Sequence, residues 1–98
     1  MSPAVFVLAM EVDVRIAHAR SLKDKRQVVK GLLEATRRRY GVSAAEVGGQ
    51  DTWQRAALGF AVVASSARQA DEVMDAVDDF VWSHPELEVL GAERTWLE

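Results

Sequence analysis

Few side chains in this 98-residue sequence have the types and the spacing that catalysis or metal binding requires. The chain has no cysteine, which excludes disulfide scaffolds, cysteine-ligated zinc and thiol catalysis. The only histidines, His18 and His84, are far apart in the chain, and each adjoins a predicted turn. Because a metal site needs several converging ligands, the sequence predicts none.

Glu11 and Asp13 place two carboxylates on one face of a predicted strand, an arrangement that acid–base catalysis can use. The alternative, which we favour, is the outward half of an alternating strand, with Arg15 and Arg55 as counter-charges. Phosphate-loop, dinucleotide-binding and G-x-S-x-G motifs do not occur in the sequence. We therefore expect a domain that is not an enzyme and that holds no metal or cofactor.

Charge is the strongest chemical signal in the chain. Residues 15–40 contain nine basic and two acidic side chains, a local charge of +7, although the whole chain carries −3. Residues 68–98 contain two basic and nine acidic side chains, a local charge of −7. The local field of each segment therefore matters more for binding than the net charge.

Six elements are predicted to position these charges. Apolar residues alternate over residues 6–16, which predicts a long strand, and further strands are predicted at 42–47, 55–64 and 87–97. Ser21 is a predicted N-cap for a helix over 22–40 that ends at Gly41, and Ser65 or Ser66 caps a second helix that ends at His84 and Pro85. The order βαββαβ predicts a single ferredoxin-like α+β domain over residues 1–98, with two helices on one face of a four-stranded antiparallel sheet.

The first helix is the predicted nucleic-acid surface. Lys23, Arg26, Lys30 and Arg37 fall on one flank of its apolar stripe and span about 21 Å, which suits several phosphates of an RNA backbone. The full candidate set is Arg20, Lys23, Lys25, Arg26, Lys30, Arg37, Arg38 and Arg55. Lys25 lies toward the apolar side, and its stem is expected to extend over the sheet edge. The alternative is a solvated helix face whose charges pair with the acidic second helix.

The sheet face that the helices leave open is the predicted dimer interface. Its side chains are small or apolar: Val5, Val7, Ala9, Ala57, Gly59, Ala61 and Val63. Such a patch favours homodimerisation, because exposed apolar surfaces of this kind usually mark interfaces. The alternative is that loops or the C-terminal tail, with Trp96, cover the patch. This face has no row of aromatic residues, so RNA bases are not expected to stack on it.

Two segments of the chain resemble the YlxP-like family, a bacterial domain of unknown function. Residues 21–26 are similar to the family signature S-L-K-x-K-R, and residues 45–56 are similar to A-E-V-G-x-x-D-x-W-Q-R-A. The closing residues 89–90 and 93–97 also fit. The resemblance implies a ferredoxin-like fold but no known activity. Genes of the family commonly adjoin those of translation initiation factor 2 and a ribosome-binding factor, which implies a role near RNA or the ribosome.

The second signature supplies a candidate polar loop site of Glu46, Gln50, Asp51, Trp53 and Gln54. Asp51 is expected to cap the loop or to pair with Lys25 or Arg26, and Gln54 to satisfy loop backbone groups. Trp53 is expected at the core edge or the dimer seam. Together these observations predict a cytoplasmic homodimer that contacts RNA or a ribosomal subunit and no membrane. One alternative is a protein-interaction or ligand-sensing dimer with no nucleic-acid role, and another is an enzyme that uses Glu46 or Asp51 of the loop site.

Overall fold

The computed structural model describes residues 4–98 of the chain. The elements are β1 (Phe6–Arg15), α1 (Leu22–Tyr40), β2 (Ser43–Gly48), β3 (Arg55–Ala64), α2 (Ala67–Trp82) and β4 (Glu88–Trp96). The predicted βαββαβ order and the ferredoxin-like fold are confirmed. None of the helices in the described residues is long and apolar enough to cross a membrane.

The sheet has the strand order β2-β3-β1-β4, and all its pairs are antiparallel. Strand β1 is central, since its apolar alternation buries Leu8, Met10, Val12 and Val14 against the helices and turns Glu11 to the open face. Strand β3 pairs with it along its whole length, from Phe6 opposite Ala64 to Arg15 opposite Arg55. The open face of β1 and β3 is therefore one continuous surface, as the dimer hypothesis requires.

Helix α1 has the caps that the sequence predicts. The Ser21 hydroxyl accepts from the Asp24 backbone N–H at 3.1 Å, and the Asp24 carboxylate accepts from the Arg20 backbone N–H at 3.1 Å. Gly41 ends the helix in the left-handed conformation, with φ of 66°. These local signals are the reason that the helix bounds agree with the sequence prediction.

Helix α2 lies over the central strands and buries Ala70, Met74, Val77 and Val81. Its cap is Ser66, whose hydroxyl accepts from the Gln69 backbone N–H at 3.1 Å. The acidic residues of α2 lie on the face away from this apolar stripe. The core between the helices and the sheet is thus apolar, apart from Lys25 and Thr36.

Strand β4 forms one edge of the sheet and contains a bulge. Asp13 lies opposite Gly91, whereas Val14 lies opposite Val89, so Leu90 is the extra residue. Beyond the bulge the even-numbered residues of β4 lie on the helix side of the sheet. There the rings of Trp96 and Phe6 meet edge to face, with 6.4 Å between their centroids. Trp96 therefore lies away from the open face, whereas Leu97 of the same tail borders it.

Candidate nucleic-acid interface

Three exposed basic side chains of α1 lie along the edge of the molecule formed by β2. Two contacts fix this placement: Lys25 reaches the C-terminal end of β2, and the Arg37 guanidinium donates to the Ala44 carbonyl near its start, with Nη2 at 2.5 Å and Nε at 3.1 Å. The same flank of the helix carries Lys23, Arg26 and Lys30, all exposed. We call these three residues the basic edge.

Arg37 does not extend freely into solvent as its place in the row predicted. Its guanidinium is held by the Ala44 carbonyl, which would otherwise be a free acceptor on the edge strand. The side chain therefore tethers the last turns of α1 to β2. Arg20 and Arg38, two further members of the predicted set, are exposed.

Lys25 lies toward the apolar side and reaches the edge strand β2, as predicted, but its ammonium is buried rather than at the surface. The residue has no exposed surface, its Nζ lies 2.7 Å from Glu46 Oε2, and it donates to the Gly49 carbonyl. The ammonium is buried because these two partners replace its water. Lys25 therefore cannot contact a phosphate in this structure, and its partner is Glu46 rather than Asp51.

The loop over residues 49–54 is attached to the start of α1 at several points. The Gln54 side-chain amide donates to the carbonyls of Ala17 and Ala19 at 3.4 and 3.3 Å, which matches the role predicted for it. The Gln54 carbonyl accepts from the Ile16 backbone N–H at 2.9 Å. Gly49 turns the chain with φ of 74°, a conformation that favours glycine.

The other residues of the predicted loop site lie at the surface. Gln50 makes only a long contact of 3.5 Å from its side-chain amide to the Glu46 carbonyl. Asp51 is exposed, and within residues 4–98 it forms no ion pair. Trp53 is 50% exposed and does not belong to the hydrophobic core, so it does not close the core edge, and its place at a dimer seam stays a prediction.

Arg55 belongs to a different surface from the basic edge. Its guanidinium lies 3.2 Å from Asp13 Oδ2 on the open face of the sheet, opposite the helices. The predicted counter-charge for Asp13 is thus present, but the predicted site that joined Arg55 to Lys23, Lys25 and Arg26 is not assembled. Alternation along β3 turns Arg55 to the open face because Ala56 is buried on the helix face.

The acidic face of α2 has its own counter-charge. Arg94 of β4 lies among Asp75, Asp71 and Asp78, with its guanidinium 2.8, 3.8 and 4.0 Å from their carboxylates. Among the described residues, no ion pair joins the acids of α2 to the basic side chains of α1. The alternative in which α2 neutralises the basic row therefore lacks the pairs that it requires.

The open face of the sheet holds a shallow trough of about 730 Å³. Its floor is made of small residues, among them Ala9, Gly59 and Ala61, and its sides include Val47 and Leu97, which are 55% and 58% exposed. A Cβ on residue 59 would lie only 2.9 Å from Val47 Cγ1, so glycine there lets Val47 lie over β3. Val47 and Leu97 lie outside the predicted dimer interface, although alternation from the buried Ala44 could have placed Val47 on this face.

Among residues 4–98, no group of three or more His, Asp or Glu side chains is placed to hold a metal ion. His84 accepts through Nδ1 from the Glu86 backbone N–H at 3.3 Å, a turn contact, and His18 is exposed. The surfaces with distinct character are the basic edge, the open face and the loop of residues 49–54.

The fold and these surfaces define a small α+β domain of the ferredoxin-like type with one basic edge. A family profile described as a protein of unknown function, DUF503, matches residues 7–94. The uncharacterized protein YlxP of Bacillus subtilis (strain 168) is 40% identical over 86 residues, which cover 88% of this chain and 94% of that protein. The chain therefore belongs to the DUF503 family, in agreement with the resemblance found in its two signatures.

Proposed function

We propose that this chain is a non-enzymatic, cytoplasmic domain that binds the backbone of RNA, free or in ribosomal particles, through the basic edge. The observation that carries the proposal is the row of Lys23, Arg26 and Lys30, exposed on one flank and free of ion pairs among the described residues. Ammonium and guanidinium groups in a row along a helix match the repeating phosphates of a nucleic-acid strand.

The placement of the charges supports this function. The basic edge lies beside β2 at one side of the sheet, whereas the acids of α2 surround Arg94 of β4 at the other side. A polyanion that approaches the β2 side meets cations first, although the whole chain carries a net charge of −3. No base-specific contact is needed for this binding, so it is expected to be largely independent of sequence.

The test is the salt dependence of RNA binding by a charge-reversed variant. Lys23→Glu, Arg26→Glu and Lys30→Glu together remove up to three phosphate contacts, so the slope of log affinity against log salt falls by about 2 to 3. The fold is expected to persist, because all three residues are exposed, glutamate favours helix and acids are favourable near a helix N-terminus.

Arg68→Glu is the matched control, because its side chain is 90% exposed on α2, away from the basic edge. This control is expected to keep the wild-type slope. Co-sedimentation with ribosomal subunits at several salt concentrations extends the test from free RNA to particles. Absence of any salt-sensitive binding of the unmodified protein to RNA or subunits at low ionic strength would overturn the proposal.

A second candidate function is a homodimeric interaction module, and it rests on the apolar end of the open face. Val5 and Val63 are 58% and 69% exposed there, beside the trough that Val47 and Leu97 border. Two copies that overlap at this end bury these side chains and leave Glu11, Asp13 and Glu93 in water. Such a dimer leaves both basic edges accessible, so the two candidates are compatible.

Light scattering of Ala61→Arg tests the dimer. An arginine at the centre of a dry interface is costly to bury, so this variant is expected to be monomeric where the unmodified protein is dimeric. Gln69→Arg, at an exposed position of α2, is the control and should remain dimeric. A monomeric unmodified protein at micromolar concentration would remove this candidate.

A further inference from the structure

Trp53 is an exposed indole that neither the core nor the basic edge explains. It is 50% exposed, and among residues 4–98 it belongs neither to the hydrophobic core nor to an aromatic pair. Leaving about half of a tryptophan side chain in water forgoes much of the free energy that its burial would contribute. An exposed flat ring is also the surface on which an unpaired nucleobase stacks.

The backbone around Trp53 is fixed rather than loose. On one side the Thr52 N–H donates to the Gly49 carbonyl at 3.0 Å, and Lys25 donates to the same carbonyl from the buried side. On the other side Gln54 exchanges hydrogen bonds with the segment before α1, through its side chain and its own carbonyl. An indole on such a support loses little conformational entropy when a ligand stacks on it.

The attachment points place the loop that carries Trp53 at the N-terminal end of α1. One attachment point is Lys25, in the first turns of α1, and the others lie in the segment that ends at Arg20. Lys23 and Arg26 lie in the same part of the chain. The loop thus adjoins the N-terminal end of the basic edge. A strand whose phosphates follow the basic edge would bring its next base to the loop that carries Trp53.

We propose that Trp53 is a stacking platform for an unpaired base of the RNA strand whose backbone lies on the basic edge. The proposal rests on the proposed RNA-binding function and names its substrate class as single-stranded RNA. In a duplex the bases are already stacked on one another, so only an unpaired segment can offer one to an indole. The open sheet face, which lacks aromatic side chains at its central positions, has no part in this contact.

The test compares three probes that share phosphate charge and differ in their bases: a 12-residue oligouridylate, an RNA duplex and inorganic polyphosphate. Trp53→Ala is expected to weaken oligouridylate binding between about fivefold and 100-fold, the range that loss of one stacked base produces. Its binding of the duplex and of polyphosphate should stay at the wild-type level. Trp82→Ala is the matched control, since Trp82 is 60% exposed at the end of α2, and it should leave all three affinities unchanged.

Fluorescence gives a second measurement that keeps the indole in place. In the variant Trp82→Phe with Trp96→Phe, Trp53 is the sole tryptophan, and its emission should be quenched by oligouridylate but not by polyphosphate. This arm does not depend on the stability of Trp53→Ala.

Two results overturn the stacking proposal while the proposed function stands. One is an unchanged oligouridylate affinity of Trp53→Ala together with no quenching. The other is an equal loss of affinity for all three probes, which would mean that the substitution disturbs the basic edge itself. Failure of the unmodified protein to bind oligouridylate, duplex and polyphosphate alike overturns the proposed function and this proposal with it.

Discussion

At the scale of single residues, Lys25 is the side chain that most needs a physical explanation. A lysine without exposed surface is rare, because a buried ammonium must recover the free energy of its lost hydration. Here that free energy comes from the carboxylate of Glu46 and the carbonyl of Gly49, together with the helix–sheet packing around them. The pair joins α1 to the end of β2, and it therefore holds the loop that carries Trp53.

Removal of one partner of this pair is expected to cost more stability than its contact area suggests. Lys25→Ala leaves the largely buried Glu46 without its counter-charge, and we expect the free energy of unfolding to fall by about 3 kcal/mol. Lys23→Ala, at an exposed position two residues away, should change it by less than about 0.5 kcal/mol. Urea unfolding of both variants measures the difference.

The double variant Lys25→Met with Glu46→Leu is the control for charge, since it replaces the pair with apolar side chains of similar size. It should recover most of the stability that Lys25→Ala loses. A loss for Lys25→Ala no larger than that for Lys23→Ala would contradict the assignment of Lys25 as a buried link.

At the scale of elements, the strands and helices could be predicted because each has a local signal. Period-two alternation marks β1 and β3, and Ser21 and Gly41 mark the ends of α1. The bounds of α1 and β3 agree with the sequence prediction, whereas the prediction for the shorter β2 was one residue early. Short edge strands carry fewer alternating residues, which explains the difference.

The partners of long side chains could not be predicted in the same way. The predicted site grouped Lys25 and Arg55 with the basic row, because sequence spacing gives a face but not the partner of a flexible side chain. The structure buries Lys25 against Glu46, a residue 21 positions away, and turns Arg55 across the sheet to Asp13. Such pairs depend on which strands are neighbours in the sheet, and the tertiary fold determines those neighbours.

The pairing of β2 with β3 leads to a prediction about the trough. Gly59→Ala places a Cβ within 2.9 Å of Val47 Cγ1, so Val47 must move away from β3. In a Val47→Ala background that contact is absent, and the same substitution should be neutral or stabilising, because alanine is favoured over glycine in a strand.

A double-mutant cycle by urea unfolding is expected to give a coupling of at least about 0.5 kcal/mol between positions 47 and 59. Gly91→Ala, where an added Cβ meets nothing within 4 Å, is the control and should show no coupling to Val47. Additive effects of Gly59→Ala and Val47→Ala would mean that Val47 does not lie over β3 in solution.

At the scale of the whole molecule, the notable property is the separation of charge across the sheet. The order β2-β3-β1-β4 places the basic edge at the β2 side of the sheet. At the opposite side, Arg94 of β4 forms ion pairs with acidic side chains of α2. The local charges of +7 and −7 cancel, and the net charge of −3 comes from the remaining residues of the chain. A polyanion is attracted to one side and repelled from the other, which orients its approach.

This separation predicts that the acidic side and the basic edge influence RNA affinity over different ranges of salt concentration. Glu72→Gln with Asp79→Gln removes two exposed acids of α2, and we expect it to raise oligouridylate affinity at about 0.01 M salt, where the screening length is about 30 Å. At about 0.15 M salt the screening length is about 8 Å, and the affinity should return to the wild-type value, because these acids repel the RNA only from a distance. The variant with the charge-reversed basic edge should lose affinity at both salt concentrations, since it lacks direct phosphate contacts.

Fluorescence anisotropy at the two salt concentrations makes the comparison. An equal effect of the α2 substitutions at both concentrations would place the RNA against α2, and the basic edge would then not be the sole contact surface.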